Sequence, residues 1–272
     1  MKKVILITGA SSGMGKETAL QLIREGHVVY GAARRESNMQ ELVKAGGHAV
    51  KLDITNAQQV KDVIEKIISE QGKIDVLVNN AGYAIYGAVE DITIDEARQQ
   101  FEVNLFGLAA ITKAVLPYMR KQQTGEIINI SSMGGKMYTP LGAWYHATKH
   151  ALEGWSDSLR LELKDHGIHV VIIEPGIIKT EFDKVMYEPM IKRSGNGPYA
   201  NLTKAVAKGT LRTYKKGSSS PSTVVAKVIS RAIRSNKPKT RYVVGKMAKP
   251  MIWIRKNLGD RVFDALLMSQ VK

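Results

Sequence analysis

The chain has 272 residues, 44% of them hydrophobic, and no cysteine. That length allows a sizeable core, and the lack of thiols excludes disulfides and thiolate catalysis. The net charge of +15 arises late: residues 1–183 hold 20 Lys/Arg against 22 Asp/Glu, whereas residues 184–272 hold 20 Lys/Arg against Glu188, Asp260 and Asp264 alone.

The first predicted element is Val4–Ile7, a short apolar run suited to a strand covered on both faces. It is too short for a signal-peptide core, and no apolar run approaches the roughly 18 residues of a membrane span. A reducing, cytoplasmic setting is expected. Thr8-Gly9-Ala10-Ser11-Ser12-Gly13-Met14-Gly15 follows, and then Ala19, Leu20, Leu22 and Ile23 recur at helical spacing. This order aims the free N–H groups of a helix N-terminus at a glycine turn, where they can hold a pyrophosphate. The spacing T-G-x-x-x-G-x-G differs from G-x-G-x-x-G, and by itself it also fits a purely structural turn.

Val28–Ala33 reads as the second strand and ends in Arg34-Arg35. In nucleotide-binding sheets this strand end meets the adenosine ribose, where an acid binds the 2′-hydroxyl and an arginine accommodates a 2′-phosphate. Ala33 stands where the acid would be, and Lys16 lies in the preceding helix, so NADP(H) is expected over NAD(H). Glu36 is the counterweight, because it can neutralise part of the arginine pair. Ala49–Leu52 is the third predicted strand. Asp53 or Thr55 beyond it can cap a helix over Ala57–Gln71. Ile74–Val78 is the fourth, closed by Asn79-Asn80-Ala81-Gly82. Ile94–Arg120 reads as one long helix kinked near its end by Pro117, with Asn104 as a polar group that needs partners on an apolar stretch.

Glu126–Ile130 is the fifth strand, with Ser131-Ser132 at its carboxyl end, where open α/β sheets bind ligands. Thirteen residues after Ser132, Tyr145 opens a helix through Arg160 and Leu163, and Lys149 shares its face one turn on. A free tyrosine titrates near about 10. A nearby ammonium lowers that value, making Tyr145 a usable acid in reduction and base in oxidation. Ser132 can hydrogen-bond the substrate oxygen while hydride passes between a nicotinamide and the substrate carbon. Tyr242 and Lys246 repeat the Y-x-x-x-K spacing within a strand-like run, so the upstream serine is what distinguishes Tyr145. His146 and His150 have the spacing of a zinc pair but lack the Glu of H-E-x-x-H and a third ligand, so no metal is expected.

His169–Glu174 is the sixth strand and precedes Pro175-Gly176. Residues 181–222 lack clear periodicity. They read either as a substrate loop or lid, with Met186, Tyr187, Met190 and Tyr199 lining an apolar pocket, or as a plain surface excursion. Ser222–Ile233 is an amphipathic helix and Tyr242–Val244 a last strand. Residues 246–272 form a basic, amphipathic extension carrying Trp253, which fits a lid over the pocket or a subunit, or a helix lying on an anionic membrane surface.

In aggregate these ordered motifs, over about residues 3–181, resemble the short-chain dehydrogenase/reductase family. The A-R-R run, F-E-V-N-L-F-G, and A-L-E-G-W-S-D-S-L-R after Lys149 are similar to the branch of 17β-hydroxysteroid and retinol dehydrogenases. The resemblance implies an α/β fold: one Rossmann-type doubly wound parallel sheet over residues 1–272, flanked by helices on both faces, with a C-terminal helical lid. It implies a cofactor turn of Gly9, Ser11, Ser12, Gly13, Met14 and Gly15, with Arg34 and Arg35 at the ribose phosphate. Asp53 and Ile54 would touch the adenine, and Asn80, Ala81 and Gly82 would lie beside the ribose. Tyr145 and Lys149 would meet the nicotinamide ribose, and Pro175, Gly176, Ile178 and Thr180 would pass the nicotinamide. Asn104, Ser132, Tyr145 and Lys149 would form the catalytic set, with Asn104 holding a water in a proton relay. The substrate implied is a lipophilic ketone, aldehyde or alcohol, and the assembly a homo-oligomer, dimer or tetramer, through the helices at 94–120 and 145–165. A rival class is a nucleotide-binding redox sensor whose basic tail contacts nucleic acid or anionic lipid. The catalytic set argues against it, since a sensor needs no proton donor.

Overall fold

Strand β1 (Val4–Thr8) is buried along its whole length because both its faces are covered. Val4 and Leu6 enter one core with Ile64, Ile111 and Val115, while Ile5 and Ile7 enter a second with Ala19, Leu22 and Ile229. Successive side chains of a strand point to opposite faces, so one apolar run feeds both layers.

In the computed structural model, which describes residues 1–180, 182–214 and 219–271, strands and helices then alternate. Helix α1 (Gly13–Arg24) leads to β2 (Val28–Ala33), α2 (Gln40–Lys44) to β3 (His48–Lys51), and α3 (Ala57–Gln71) to β4 (Val76–Asn79). Helices α4 (Ile94–Phe101) and α5 (Leu108–Gln122) lead to β5 (Gly125–Ile130), and α6 (Ala143–Glu162) to β6 (Ile168–Pro175). A separate short pair, β7 (Ile178–Lys179) and β8 (Ser220–Pro221), brackets α7 (Phe182–Ser194) and α8 (Ala200–Tyr214). Helix α9 (Thr223–Arg234), β9 (Arg241–Val244), α10 (Ala248–Asn257) and α11 (Gly259–Ser269) complete the chain. The main sheet runs β3-β2-β1-β4-β5-β6-β9, with every neighbouring pair parallel. This is the Rossmann-type doubly wound sheet that the sequence predicts. Its order reverses between β1 and β4, which places a ligand crevice at their carboxyl ends.

Three stretches differ from the sequence reading. The long helix of residues 94–120 is interrupted by a π-helical stretch, Glu102–Gly107, that contains Asn104. Pro117 lies inside α5, which runs on to Gln122, two residues past the predicted end, with the buried Val115 and Met119 on either side of the proline. The lid segment, expected to lack periodicity, holds α7 and α8. In α7 the buried Met186 and Met190 share a sequence with Pro189, Lys192 and Arg193, which obscures any stripe. Residues 181 and 215–218 of that segment lie outside the described residues. The C-terminal extension is two helices, because Gly259 takes φ +76° between them.

Candidate active site

The glycine turn is built for close approach. Gly9 and Gly13 take φ of +67° and +53°, which favours glycine. A Cβ on Gly9 would lie 2.8 Å from Ala81 Cα, and one on Gly15 2.4 Å from the Gly9 carbonyl oxygen. Asn80 braces the turn by donating Nδ2 to the carbonyls of Thr8 and Gly9, while Thr8 Oγ1 accepts the N–H groups of Asn80 and Ala81. Ser12 stands at the N-cap of α1 but makes no side-chain cap, and no acid occupies the first turn. The first N–H groups of α1 are thus left for an anion.

A cavity of about 350 Å³ runs from this turn along Ala33, Arg34, Arg35, Asp53, Ile54, Asn80, Ala81, Gly82 and Thr180, with Ser11, Ser12, Gly13 and Met14 on its wall. The donors and the tight glycine packing fit the adenosine and pyrophosphate of a dinucleotide. Among the described residues neither Arg34 nor Arg35 has an ion-pair partner, so Glu36 does not neutralise them. Lys16 turns away to Glu41, at 2.7 Å. Burial pushes the Asp53 carboxyl up, but hydrogen bonds from Thr55 N and Oγ1 and the charge of Arg34 outweigh it and hold Asp53 below its ordinary value. Neither Asp53 nor Thr55 caps α3; Asn56 does, accepting the Gln59 N–H at 3.0 Å.

Ser132 follows β5 with extended backbone, and its Oγ accepts the Gly134 N–H at 3.0 Å. The Tyr145 phenol shares a cavity with Ser132, whose hydroxyl favours the ionised phenol. Lys149, one turn along α6, is buried and donates Nζ to the Ile130 carbonyl at 2.8 Å. The electrostatics correct one expectation. Burial pushes the Tyr145 hydroxyl above its ordinary value, and Ser132 offsets only part of this. The Lys149 ammonium does not reverse it, because it is anchored on the last carbonyl of β5. Burial also lowers Lys149 itself to about 8, against the opposing charge of Glu153.

Asn104 ties these parts together. Its Oδ1 accepts the Tyr83 N–H at 3.0 Å, and its Nδ2 donates to the Tyr83 carbonyl at 2.8 Å and to Thr148 Oγ1 at 3.1 Å. Both amide hydrogens are therefore spent on protein partners, one on the loop after β4 and one on α6.

Two residues take parts in the site that the sequence reading did not give them. His146 Nε2 accepts the Thr139 N–H, so its Nδ1 carries the proton and donates to the Gly134 carbonyl, both at 3.0 Å. Burial holds the ring neutral by lowering it to about 4. His146 clamps the loop that follows Ser132, and among the described residues no metal-ligating cluster occurs. Tyr86 lies with its ring 6.0 Å from that of Tyr145 and 6.4 Å from that of His146. No periodicity or motif marks Tyr86, whereas the position of His146 beside Tyr145 was a usable hint.

A second cavity, of about 710 Å³, opens over Ser132 and Tyr145 and meets the first at Met14 and Thr180. Pro175, Gly176 and Ile178 form its floor. A Cβ on Gly176 would lie 2.1 Å from the Lys246 carbonyl oxygen, so that turn is pressed against the chain after β9. Of the four residues expected to line an apolar pocket, Met186 does so. Met190, Tyr187 and Tyr199 pack in the cluster with Tyr86 and Tyr145 instead of on the wall. Tyr242 and Lys246 do not converge: Tyr242 Oη accepts the Lys239 N–H, while Lys246 lies at the cavity.

Residues 3–190 match the family model of the short chain dehydrogenases. The chain belongs to the short-chain dehydrogenase/reductase family. A 3-ketodihydrosphingosine reductase of Bacteroides thetaiotaomicron is 48% identical over 180 residues, a match spanning 66% of this chain and 65% of that protein. The crystal structure of a short-chain dehydrogenase from Streptomyces avermitilis is 33% identical, with a TM-score of 0.80 over 99% of this chain and 96% of that one. The closed form of serine dehydrogenase complexed with NADP+ is 26% identical, with a TM-score of 0.77 over 89% of this chain and 94% of that one. This dehydrogenase is thus an oxidoreductase acting on CH–OH or carbonyl groups, with a nicotinamide cofactor. These relatives do not single out the 17β-hydroxysteroid and retinol branch.

Proposed function

We propose that this dehydrogenase uses NADP(H) to interconvert a ketone or aldehyde and the matching alcohol on a lipophilic molecule. The observation that carries the reading is that Ser132 and Tyr145 line one apolar cavity, joined to the cofactor cleft through Met14 and Thr180. A nicotinamide bound at that junction supplies or takes up the hydride. Tyr145 donates its phenolic proton to the carbonyl oxygen in reduction and recovers it in oxidation. Burial favours the protonated phenol, which suits reduction near neutral pH. Ser132 Oγ hydrogen-bonds the same oxygen. Lys149, with one Nζ donor on Ile130, serves the nicotinamide ribose with the others, while Asn104 fixes Tyr83 and Thr148 around it.

Arg34 and Arg35 take the 2′-phosphate. In support, both are exposed without an ion-pair partner among the described residues, Ala33 offers no carboxylate, and one structural neighbour binds NADP+. Six of the chain's 11 methionines line the substrate cavity: Met14, Met133, Met137, Met186, Met247 and Met251. Thioether side chains are flexible and polarizable, so such a wall suits bulky apolar substrates. The name of the Bacteroides relative points the same way. Self-assembly uses α4, α5 and α6, on which Ile94 and Leu161, with Phe106 between α4 and α5, are large and exposed. The redox-sensor alternative draws no support from relatives named as a reductase and dehydrogenases. The test is NADPH oxidation across a panel of lipophilic ketones and aldehydes, with NADH in parallel. Preference for NADH overturns the cofactor assignment, and turnover confined to small polar carbonyls overturns the substrate class.

A further inference from the structure

We propose that the outer face of α10 and α11 docks on an anionic lipid bilayer, beside the mouth of the substrate cavity. Lys249, Trp253 and Lys256 recur at i, i+4 and i+7, share one side of α10, and are exposed. Leu258 is exposed at the junction of the two helices, and beyond the Gly259 break Arg261, Val262 and Met268 are exposed along α11. Trp253 is 58% exposed and Val262 50%, a large apolar load to leave open to solvent.

The opposite side of the same helices does the anchoring. Ala248 and Phe263 are fully buried, and Phe263 meets the Tyr138 ring edge-on at 5.3 Å. Tyr138 donates its hydroxyl to Asp264 at 2.9 Å, and the Arg255 guanidinium lies over its ring. The two acids of the segment are both engaged, Asp264 with Tyr138 and Asp260 with Arg255. Lys249, Lys256 and Arg261 have no ion-pair partner among the described residues. The outward side therefore combines aliphatic groups, an indole and uncompensated cations.

That combination matches the interface of an anionic membrane. The indole and aliphatic groups enter the headgroup boundary and the cations meet lipid phosphates and carboxylates. A second copy of this chain would present the same uncompensated cations and be repelled. Among the described residues no helix is long and apolar enough to cross a membrane, so the contact is peripheral. The cavity adjoins this face: Met247, Met251 and Gln270 of the C-terminal segment line it, as does Arg212 of α8, next to the exposed Leu211. A bilayer-dissolved carbonyl compound would enter there. Only this route of entry rests on the lipophilic-substrate reading above; the docking does not.

The test is sedimentation of the full chain with phosphatidylcholine vesicles, with and without phosphatidylserine, alongside the variants Lys249→Glu/Lys256→Glu and Trp253→Ala. The expected result is binding that requires phosphatidylserine, falls at high salt, and drops about tenfold in each variant. Thermal melts and NADPH turnover of a water-soluble ketone should be unchanged, which separates this outcome from failure of the catalytic reading. Absence of binding, equal binding to both vesicle types, or variants that bind as well as the parent overturn the proposal. So does loss of a dimer in the variants on gel filtration, which assigns the face to a second copy.

Discussion

Residues 1–180 and residues 182–271 hold their parts of the site by different means. In the first region the side chains of the proposed site sit on or beside buried strands and a helix, and main-chain carbonyls hold them: Ile130 holds Lys149, Gly134 holds His146, and Tyr83 holds Asn104. In the second region methionines on α7, α10 and the loop before α10 contribute to the cavity wall. Side-chain contacts fasten α7 to the first region. Arg193 pairs with Glu96 at 2.8 Å and Ser194 Oγ accepts the Ala88 N–H at 2.9 Å. Proton transfer needs sub-ångström placement, which buried hydrogen bonds supply. Accommodation of an apolar substrate needs only area and adaptability.

This division should break or sharpen under mutation. The largest effect is expected at Tyr145. Tyr145→Phe should lower kcat by about 10²–10⁴-fold and leave NADPH affinity by fluorescence titration nearly intact. Turnover close to that of the parent would remove the chemistry from the first region. Next, Arg34→Ala should weaken NADPH by about 10- to 100-fold and leave NADH unchanged, as the loss of one charged hydrogen bond requires. Equal weakening of both would mean that Arg34 supports the strand end without reading the phosphate.

A smaller effect tests the second region. Arg193→Ala removes a half-buried ion pair of at most about 1 kcal/mol. KM for a lipophilic substrate should rise by up to about fivefold at nearly constant kcat. A fall in kcat instead would show that the lid reaches into the chemical step. The smallest effect concerns stability of the sheet. Burial raises the Glu126 carboxyl to about 7, with Lys3 opposing, from an ordinary 4.5. The folded state therefore keeps a proton that the unfolded state loses. The resulting stabilisation is complete below 4.5 and is lost as pH rises through 7. Glu126→Gln should flatten the decline in Tm between about pH 5 and about pH 8, and an unchanged decline would assign it to other groups.

Much of the first region was legible before any coordinates. Buried parallel strands leave unbroken apolar runs, so Val4–Ile7, Val28–Ala33 and His169–Glu174 can be found by eye, and a parallel sheet follows from strands alternating with helices. The spacing of Tyr145 and Lys149 is also local, since one helical turn puts both on one face. Helices α7 and α8 were not legible. Met186 and Met190 acquire their partners only by packing with Tyr86 and Leu141, far off in sequence.

The same boundary runs through the site itself. By itself the sequence determined the strands of the main sheet, which residues stand at their carboxyl ends and where the positive charge gathers, because these follow from near neighbours along the chain. Only the tertiary structure decided that burial raises the Tyr145 hydroxyl, that Lys149 donates to Ile130, that Lys16 faces Glu41, and that His146 is a neutral clamp. Desolvation and the choice of hydrogen-bond partner depend on groups brought together from distant parts of the chain, and local spacing carries no record of them.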